Sequence, residues 1–264
     1  MDEIKSDKIS FFERFKRSIV DIPSYNFFVK ESLGKGILYL LLLSLMVGVI
    51  TSSVMSYKFK NYFESEARSF VIRAPEFEFK NGELDVQGDM PLKIDDYIIV
   101  DTTGSTDDSV LDAYNEGMLI LKDKVIVKQS VVEKREFDFS SINDVEFNKQ
   151  DAMKFIPEIN KWISIFIVVF GIIFITLWIM ISTMINALIL GIAGIIISKV
   201  QKMNIQFGDI YKICIYAFTL PIVIDKLILG YAPIYIPYFN LVYYIIAGVY
   251  MYNAMDSYKR ELEQ

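Results

Sequence analysis

The chain has 264 residues, 53% apolar and 14% aromatic, and carries a net charge of −6 from 27 Lys and Arg against 33 Asp and Glu. So large an apolar share argues against an ordinary water-soluble enzyme, and the acidic balance argues against a nucleic-acid partner, which needs a basic face. With no histidine and one cysteine, the chain holds no histidine triad, no histidine-bearing zinc site and no internal disulfide.

Residues 1–35 read as a cytoplasmic amphipathic segment. Phe11, Phe12, Phe15, Ile19 and Ile22 recur near helical spacing beside Arg14, Lys16 and Arg17. That pattern suits a helix lying at a membrane interface or docking on a protein, with Pro23 ending it. Residues 36–56 hold no charge. At about 1.5 Å rise per residue they cross a hydrocarbon layer of roughly 30 Å. The apolar region starts late and is long, so it reads as an uncleaved anchor rather than a signal peptide. Basic residues before it, Lys30 and Lys35 among them, predict a cytoplasmic N-terminus.

The acidic surplus sits in residues 57–161, which hold 14 basic and 22 acidic side chains. This stretch is expected to form an extracytoplasmic α+β domain. Residues 59–67 continue the first membrane helix until Pro75 stops it. Phe77–Lys80 and Leu84–Gln87, joined by Asn81-Gly82, read as a hairpin. Tyr97–Val100, Met118–Leu121 and Val125–Lys128 read as strands, and Phe137 with Phe139 as a further strand or its edge. Ser141 and Asp144 mark a helix start.

The string IIVDTTGSTDD, residues 98–108, ends a hydrophobic strand on Asp101. It resembles the D-K-T-G-T loop of P-type transport ATPases but lacks the lysine. It also resembles the D-T/S-G loop of aspartic proteases, but an extra threonine interrupts it and no second copy follows. A strand-to-turn cap accounts for the same residues. Asp101, Asp107 and Asp108 are candidate extracytoplasmic ligand contacts. With Asp95, Asp96 and Asp112 they are also candidates for a hard cation, though their spacing matches no EF-hand and a solvated acidic surface is the better reading. No catalytic residue, metal site or cofactor is expected.

Residues 162–264 are expected to be a C-terminal membrane domain with three spans and a short cytoplasmic tail. The run 162–198 is too long for one span and short for two. It reads as a long helix, a tight hairpin or a span with a re-entrant segment, Ser182, Thr183 and Asn186 marking the break. Tyr211–Leu229 is the third expected span, kinked at Pro221, with Asp225 and Lys226 snorkelling near its end. Cys214 within it reads as a small buried hydrophobe. Pro233 and Pro237 flank an aromatic turn, and Phe239–Ala254 is the fourth span, with Lys259 and Arg260 favouring a cytoplasmic C-terminus. Trp162, Tyr211, Tyr231, Tyr235 and Tyr238 read as an interfacial aromatic belt. Asn186, Asp225 and Lys226 are the candidate intramembrane functional or packing contacts.

The expected fold is therefore a multi-span α-helical membrane protein, with four crossings and an extracytoplasmic α+β domain inserted between the first and second spans. The order FFERFKRSIVDIPSYNFFVKESLGKGILYLLLL, acidic domain, then a Trp162-led hydrophobic half resembles the DUF1189 family of bacterial membrane proteins of uncharacterised function. The resemblance is strongest over Phe15–Leu43, Pro75–Gly104 and the membrane half. The arrangement is remotely similar to Yip1-type membrane proteins. Neither resemblance carries a catalytic residue onto this chain. It implies a bacterial cytoplasmic membrane and, because some members are labelled maltodextrin-utilisation proteins, a maltodextrin-transport system as partner. The expected function is a non-catalytic membrane accessory or interaction protein of a transport or envelope system, its partners being membrane lipid and another membrane or envelope protein. The alternatives are a transporter component for a sugar or other small solute and an extracytoplasmic ligand sensor.

Overall fold

Two long runs without a helix-breaking pair of residues dominate the chain, and each becomes one helix. In the computed structural model, which describes residues 9–95, 97–231 and 236–263, these are α3 (Leu33–Arg73) and α4 (Lys149–Val200). Asp96, Pro233 and Tyr235 lie outside the described residues. The chain divides into two compact units, Met1–Tyr57 with Ile165–Gln264, and Lys58–Ser164.

The first unit is helical. It contains α1 (Phe11–Val20), α2 (Ser24–Lys30), the first part of α3, most of α4, α5 (Phe207–Ala217), α6 (Thr219–Val223), a π-helical turn (Ile224–Leu229) and α7 (Phe239–Leu262). Ser10 caps α1, its hydroxyl accepting from the Glu13 amide. Phe11, Phe15 and Ile22 turn inward onto the core, while Phe12 and Val20 stay exposed. The amphipathic N-terminal pattern thus packs one face on the chain's own helices.

Aromatic rings fill the middle of this unit. Phe28 stacks on Tyr216 at 4.1 Å and Tyr39 stacks on the same ring at 4.6 Å. The Tyr39 hydroxyl lies 3.1 Å from the Ser18 hydroxyl and 2.9 Å from that of Thr219, so its burial leaves no polar atom orphaned. Arg14 grips Glu31 with both guanidinium arms, one at 2.8 Å, and both side chains are nearly buried. Lys212 Nζ donates to the carbonyls of Val29 and Glu31, satisfying the C-terminal end of α2. α3 meets α4 through small residues: a Cβ on Gly48 would lie 2.6 Å from Thr176 Oγ1 and 3.3 Å from the Ile172 carbonyl. Only glycine permits that approach.

The expected multi-span fold with four crossings is not what the chain forms. Among the described residues two helices are long and apolar enough to cross a membrane, α3 and α4. The third expected span, Tyr211–Leu229, is divided among α5, α6 and the π-helical turn. Its Ile213, Cys214, Ile215, Ala217 and Phe218 are buried in the core, so their apolarity is satisfied by protein contacts. The fourth falls within α7, where Asn240, Asn253, Asp256 and several tyrosines make the helix less apolar than α3 or α4. A hydropathy pattern cannot separate an apolar residue packed on protein from one facing lipid, and that ambiguity produced two surplus spans. Of the three readings of residues 162–198, the long helix is the one the chain forms: they lie within the single helix α4, without a break at Ser182, Thr183 or Asn186.

The second unit carries two sheets. β1 (Phe77–Lys80) and β2 (Glu83–Val86) form a hairpin whose turn residues Asn81 and Gly82 both take positive φ, 54° and 73°. That is the type I′ turn an Asn-Gly pair favours. β8 (Phe147–Asn148) adds to β1, giving the order β2-β1-β8, with Phe79 stacked on Phe147. This pairing explains why no helix starts at Ser141 or Asp144. Phe147 is drawn into the sheet, and Asn148 then caps α4 by accepting from the amides of Gln150 at 2.9 Å and Asp151 at 3.0 Å.

The larger sheet has the order β3-β4-β5-β6-β7, from β3 (Leu92–Asp95), β4 (Ile98–Asp101), β5 (Gly117–Leu121), β6 (Lys124–Ser130) and β7 (Glu133–Asp138). All its pairs are antiparallel except β4 with β5. A parallel pair needs a crossover, and residues 102–116 supply it through a short 3₁₀ helix, Asp108–Ala113. Leu111 on that helix closes a small core with Ile99, Leu119 and Ile126. β7 forms an edge, and every one of its residues is exposed.

Candidate functional site

The helical unit contains a cleft of about 360 Å³ in which polar side chains from three elements converge. α4 contributes Trp178, Ser182, Thr183 and Asn186, and α7 contributes Asn240, Tyr243 and Tyr244. Between them stands the π-helical turn with Asp225 and Lys226. The spacing explains the convergence. Positions 178, 182 and 186 lie one turn apart along α4, and 240, 243 and 244 share one face of α7.

Several of these groups are held in place. Tyr244 donates to Asn186 Oδ1 at 2.7 Å, which fixes the amide and leaves its nitrogen as a donor. The Tyr243 hydroxyl bonds with Thr183 and Asn186. Phe218 stacks on Tyr243 at 5.2 Å and meets Tyr244 edge-on at 5.9 Å, so both tyrosine rings are backed by the core. Asp225 Oδ2 pairs with Lys226 Nζ at 2.7 Å, and both side chains remain partly open.

The π-helical turn positions this pair. A chain in α-helical register would point neighbouring residues about 100° apart. Here the Gly230 amide reaches back five residues to the Asp225 carbonyl at 3.0 Å, and the widened turn is of a kind found often at functional sites. Gly230 is required for it: a Cβ there would lie 2.8 Å from the Lys226 carbonyl oxygen. A second cavity of about 360 Å³ adjoins the same pair, lined by Thr51, Leu229, Gly230 and Phe239 among others. Asp225 and Lys226 therefore line both cavities.

The acidic turn of the second unit is arranged differently. Asp101, at the end of β4, is fully buried. It accepts from the Thr103 amide at 2.8 Å, the Thr103 hydroxyl at 2.6 Å and the Ser105 hydroxyl at 2.7 Å. Burial opposes its charge, but these bonds and one from Thr106 outweigh it and hold the carboxyl well below the usual carboxylate range. Asp107 caps the 3₁₀ helix by accepting from the Ser109 amide at 3.0 Å. Asp108 and Asp112 each pair with Lys134 at 2.9 Å. The buried Lys128 donates to the Leu111 carbonyl at 3.0 Å. Among the described residues no group of three or more acidic or cysteine side chains is placed to hold a metal ion.

The six residues singled out from sequence thus fall into two sets. Asn186, Asp225 and Lys226 line one cleft. Asp101, Asp107 and Asp108 follow one strand but turn to separate partners. Sequence reasoning missed Trp178, Asn240, Tyr243 and Tyr244. The signal was present in the turn-by-turn spacing of polar and aromatic positions on α4 and α7. Of the expected aromatic belt, Tyr211 is buried and donates to the Met184 carbonyl at 3.3 Å.

Chemically, the cleft offers a carboxylate, an ammonium, two amides, hydroxyls and aromatic faces. It presents binding groups and no histidine or exposed thiol; Cys214 is buried, which pushes its thiol away from the reactive anion.

No curated protein and no solved structure matches the chain. The remote Yip1 similarity finds no support in these comparisons. The model of one family, described as a protein of unknown function, DUF1189, matches residues 12–255. That match spans nearly the whole chain, both units included, and the chain belongs to the DUF1189 family.

Proposed function

We propose that the chain is a membrane-anchored, non-catalytic interaction protein held in the bilayer by α3 and α4. One observation carries this reading. Phe166, Phe170, Phe174, Trp178, Ile181 and Ile185 continue at helical spacing to Ile196 along one flank of α4, and all are exposed. Only 11% of the most apolar stretch of α4 is buried, against 39% for α3. A water-facing apolar strip of that length is rare in soluble proteins, whereas lipid suits it. Two crossings put both ends of the chain on the same side. Lys30 just before α3, Lys35 in its first turn, Lys199 in the last turn of α4 and Lys202 just beyond it favour the cytoplasmic side of a bacterial membrane. Residues 58–164 then face outward and offer a surface for an envelope partner.

The test is alkaline extraction of membranes followed by in-cell crosslinking of the full chain. The chain is expected to stay with the membrane, and position 132, 93% exposed on the β6–β7 turn, to be labelled from outside when changed to cysteine. Release at alkaline pH, or labelling of position 132 only after lysis, would overturn the anchored topology. Native expression without any reproducible crosslinked partner would count against the interaction role.

A second reading, a component of a solute transporter, is favoured by the polar cleft at Asn186, Asp225 and Lys226. Polar groups gathered beside an irregular helical turn are a common way to build such a path. Uptake into proteoliposomes that disappears on Asp225→Asn would support it.

A further inference from the structure

We propose that the cleft beside the π-helical turn binds a zwitterion: a primary ammonium and a singly charged oxyanion a few bonds apart, with no net charge. This deepens the second reading by naming what the cleft holds, yet binding is measurable without uptake.

The charge balance comes first. Among the described residues, Asp225 and Lys226 are the only formally charged side chains lining the cleft, and they cancel. A ligand with net charge would leave one charge uncompensated beside the apolar walls supplied by Ile179 and Ile222, at a heavy desolvation cost. A zwitterion removes that cost. Its ammonium meets Asp225 and its oxyanion meets Lys226, so one ion pair becomes a closed ring of four charges.

Both partners have capacity left for this. The ammonium of Lys226 has three donors, and the Asp225 carboxylate offers about four acceptor sites. Their mutual contact uses one of each, and their side chains are 44% and 31% exposed. The contrast with Asp101 is direct, since that carboxylate is closed off by its own turn.

The neutral lining fits the same ligand. Asn186 has its oxygen occupied by Tyr244 and one amide N–H turned to the Tyr243 hydroxyl, so a second N–H is left to donate to an oxyanion. Trp178 and Tyr243 add aromatic rings to the lining, groups that attract an ammonium. A volume of about 360 Å³ is large enough for an amino-alcohol phosphodiester head group or an amino acid. Trp178 is also 72% exposed and belongs to the apolar flank of α4, so the cleft opens where a lipid head group can reach it. The two sources of this chemistry are therefore a dissolved solute and an aminophospholipid.

The experiment uses the purified full chain in non-ionic detergent. Glycerophosphoethanolamine is titrated calorimetrically, and phosphatidylethanolamine is titrated by native mass spectrometry. Phosphatidylglycerol (net negative) and sorbitol (uncharged) serve as comparators. Binding of either zwitterion in preference to both comparators is expected. Affinity should fall about tenfold or more in Asp225→Asn and in Lys226→Gln, each of which removes a charge-assisted contact. Asn240→Ala alters an exposed lining amide without disturbing the core, and should weaken binding about threefold. Binding of glycerophosphoethanolamine assigns a dissolved source, and binding of the phospholipid alone assigns the bilayer. Equal binding of phosphatidylglycerol or sorbitol, no binding of either zwitterion, or binding unchanged in all three variants would overturn the proposal. None of these outcomes touches membrane anchoring, which the alkaline extraction tests separately.

Discussion

Asp101 and Asp225 are carboxylates next to apolar surroundings, one in each compact unit, and the chain treats them in opposite ways. Asp101 ends a central strand and is wrapped by the threonines and serine of its own turn, so every strong acceptor position is filled locally. Asp225 sits on a widened helical turn, meets one lysine and lines two cavities. A fully bonded carboxylate organises the backbone around it and has nothing left for a ligand. A carboxylate with one partner and open space keeps its capacity. The number of filled acceptor positions, more than the charge, separates a structural acid from a binding one.

Five substitutions can break or sharpen that contrast. Arg14→Met in the helical unit sets the upper end, because it strands the nearly buried Glu31 without its bidentate partner. Loss of about 4 kcal/mol is expected, read as a lower melting temperature of the detergent-solubilised chain. Asp101→Ala comes next. It orphans the Thr103 amide and two hydroxyls, and about 3 kcal/mol should be lost from the unit that holds the sheets, followed by hydrogen exchange at β4 and β5. Asp225→Ala should cost clearly less than Asp101→Ala; equal losses would break the comparison. Gly230→Ala is expected to cost about 2 kcal/mol, because its methyl group would meet the Lys226 carbonyl, and to shift the fluorescence of Trp178 as the turn readjusts. Lys134→Gln is the smallest. Its pairs with Asp108 and Asp112 are at the surface, and no resolvable change in melting should appear.

Acid adds a sixth test. The folded Asp101 carboxyl lies below its ordinary value of 3.8, so the unfolded chain binds the proton more readily. Its stabilising contribution is therefore complete above the ordinary carboxylate range and is lost as the pH falls through and below it. Melting temperature against pH should fall more steeply below about pH 4 in the parent chain than in Asp101→Asn. Parallel curves would show that the carboxylate is not the stabilising group.

The fold was legible wherever a local rule decides the outcome. Asn81-Gly82 specifies its hairpin, Pro75 limits α3, and the strands around 98–101, 118–121 and 125–128 follow from short apolar runs between turn residues. It was illegible where burial against protein imitates burial in lipid, as in 211–229, and where a distant partner decides, as when Phe79 draws Phe147 into a strand. The site was half legible. Asn186, Asp225 and Lys226 stand out as polar residues in apolar runs. That they share a cleft depends on the packing of α7 against α4 and the turn, which brings in Asn240, Tyr243 and Tyr244 from residues that read only as part of a span.

The exposed edge strand β7 has a consequence for assembly. Its sequence EKREFD places a charge at five of six positions. A neighbouring copy that tried to extend the sheet would have to strip water from Lys134, Arg135 and Glu136 together. Backbone zippering between copies is thereby disfavoured, even at high protein concentration. Any higher-order complex must then be built from side-chain recognition, which leaves the choice of partner to chemistry rather than to the stickiness of an open sheet.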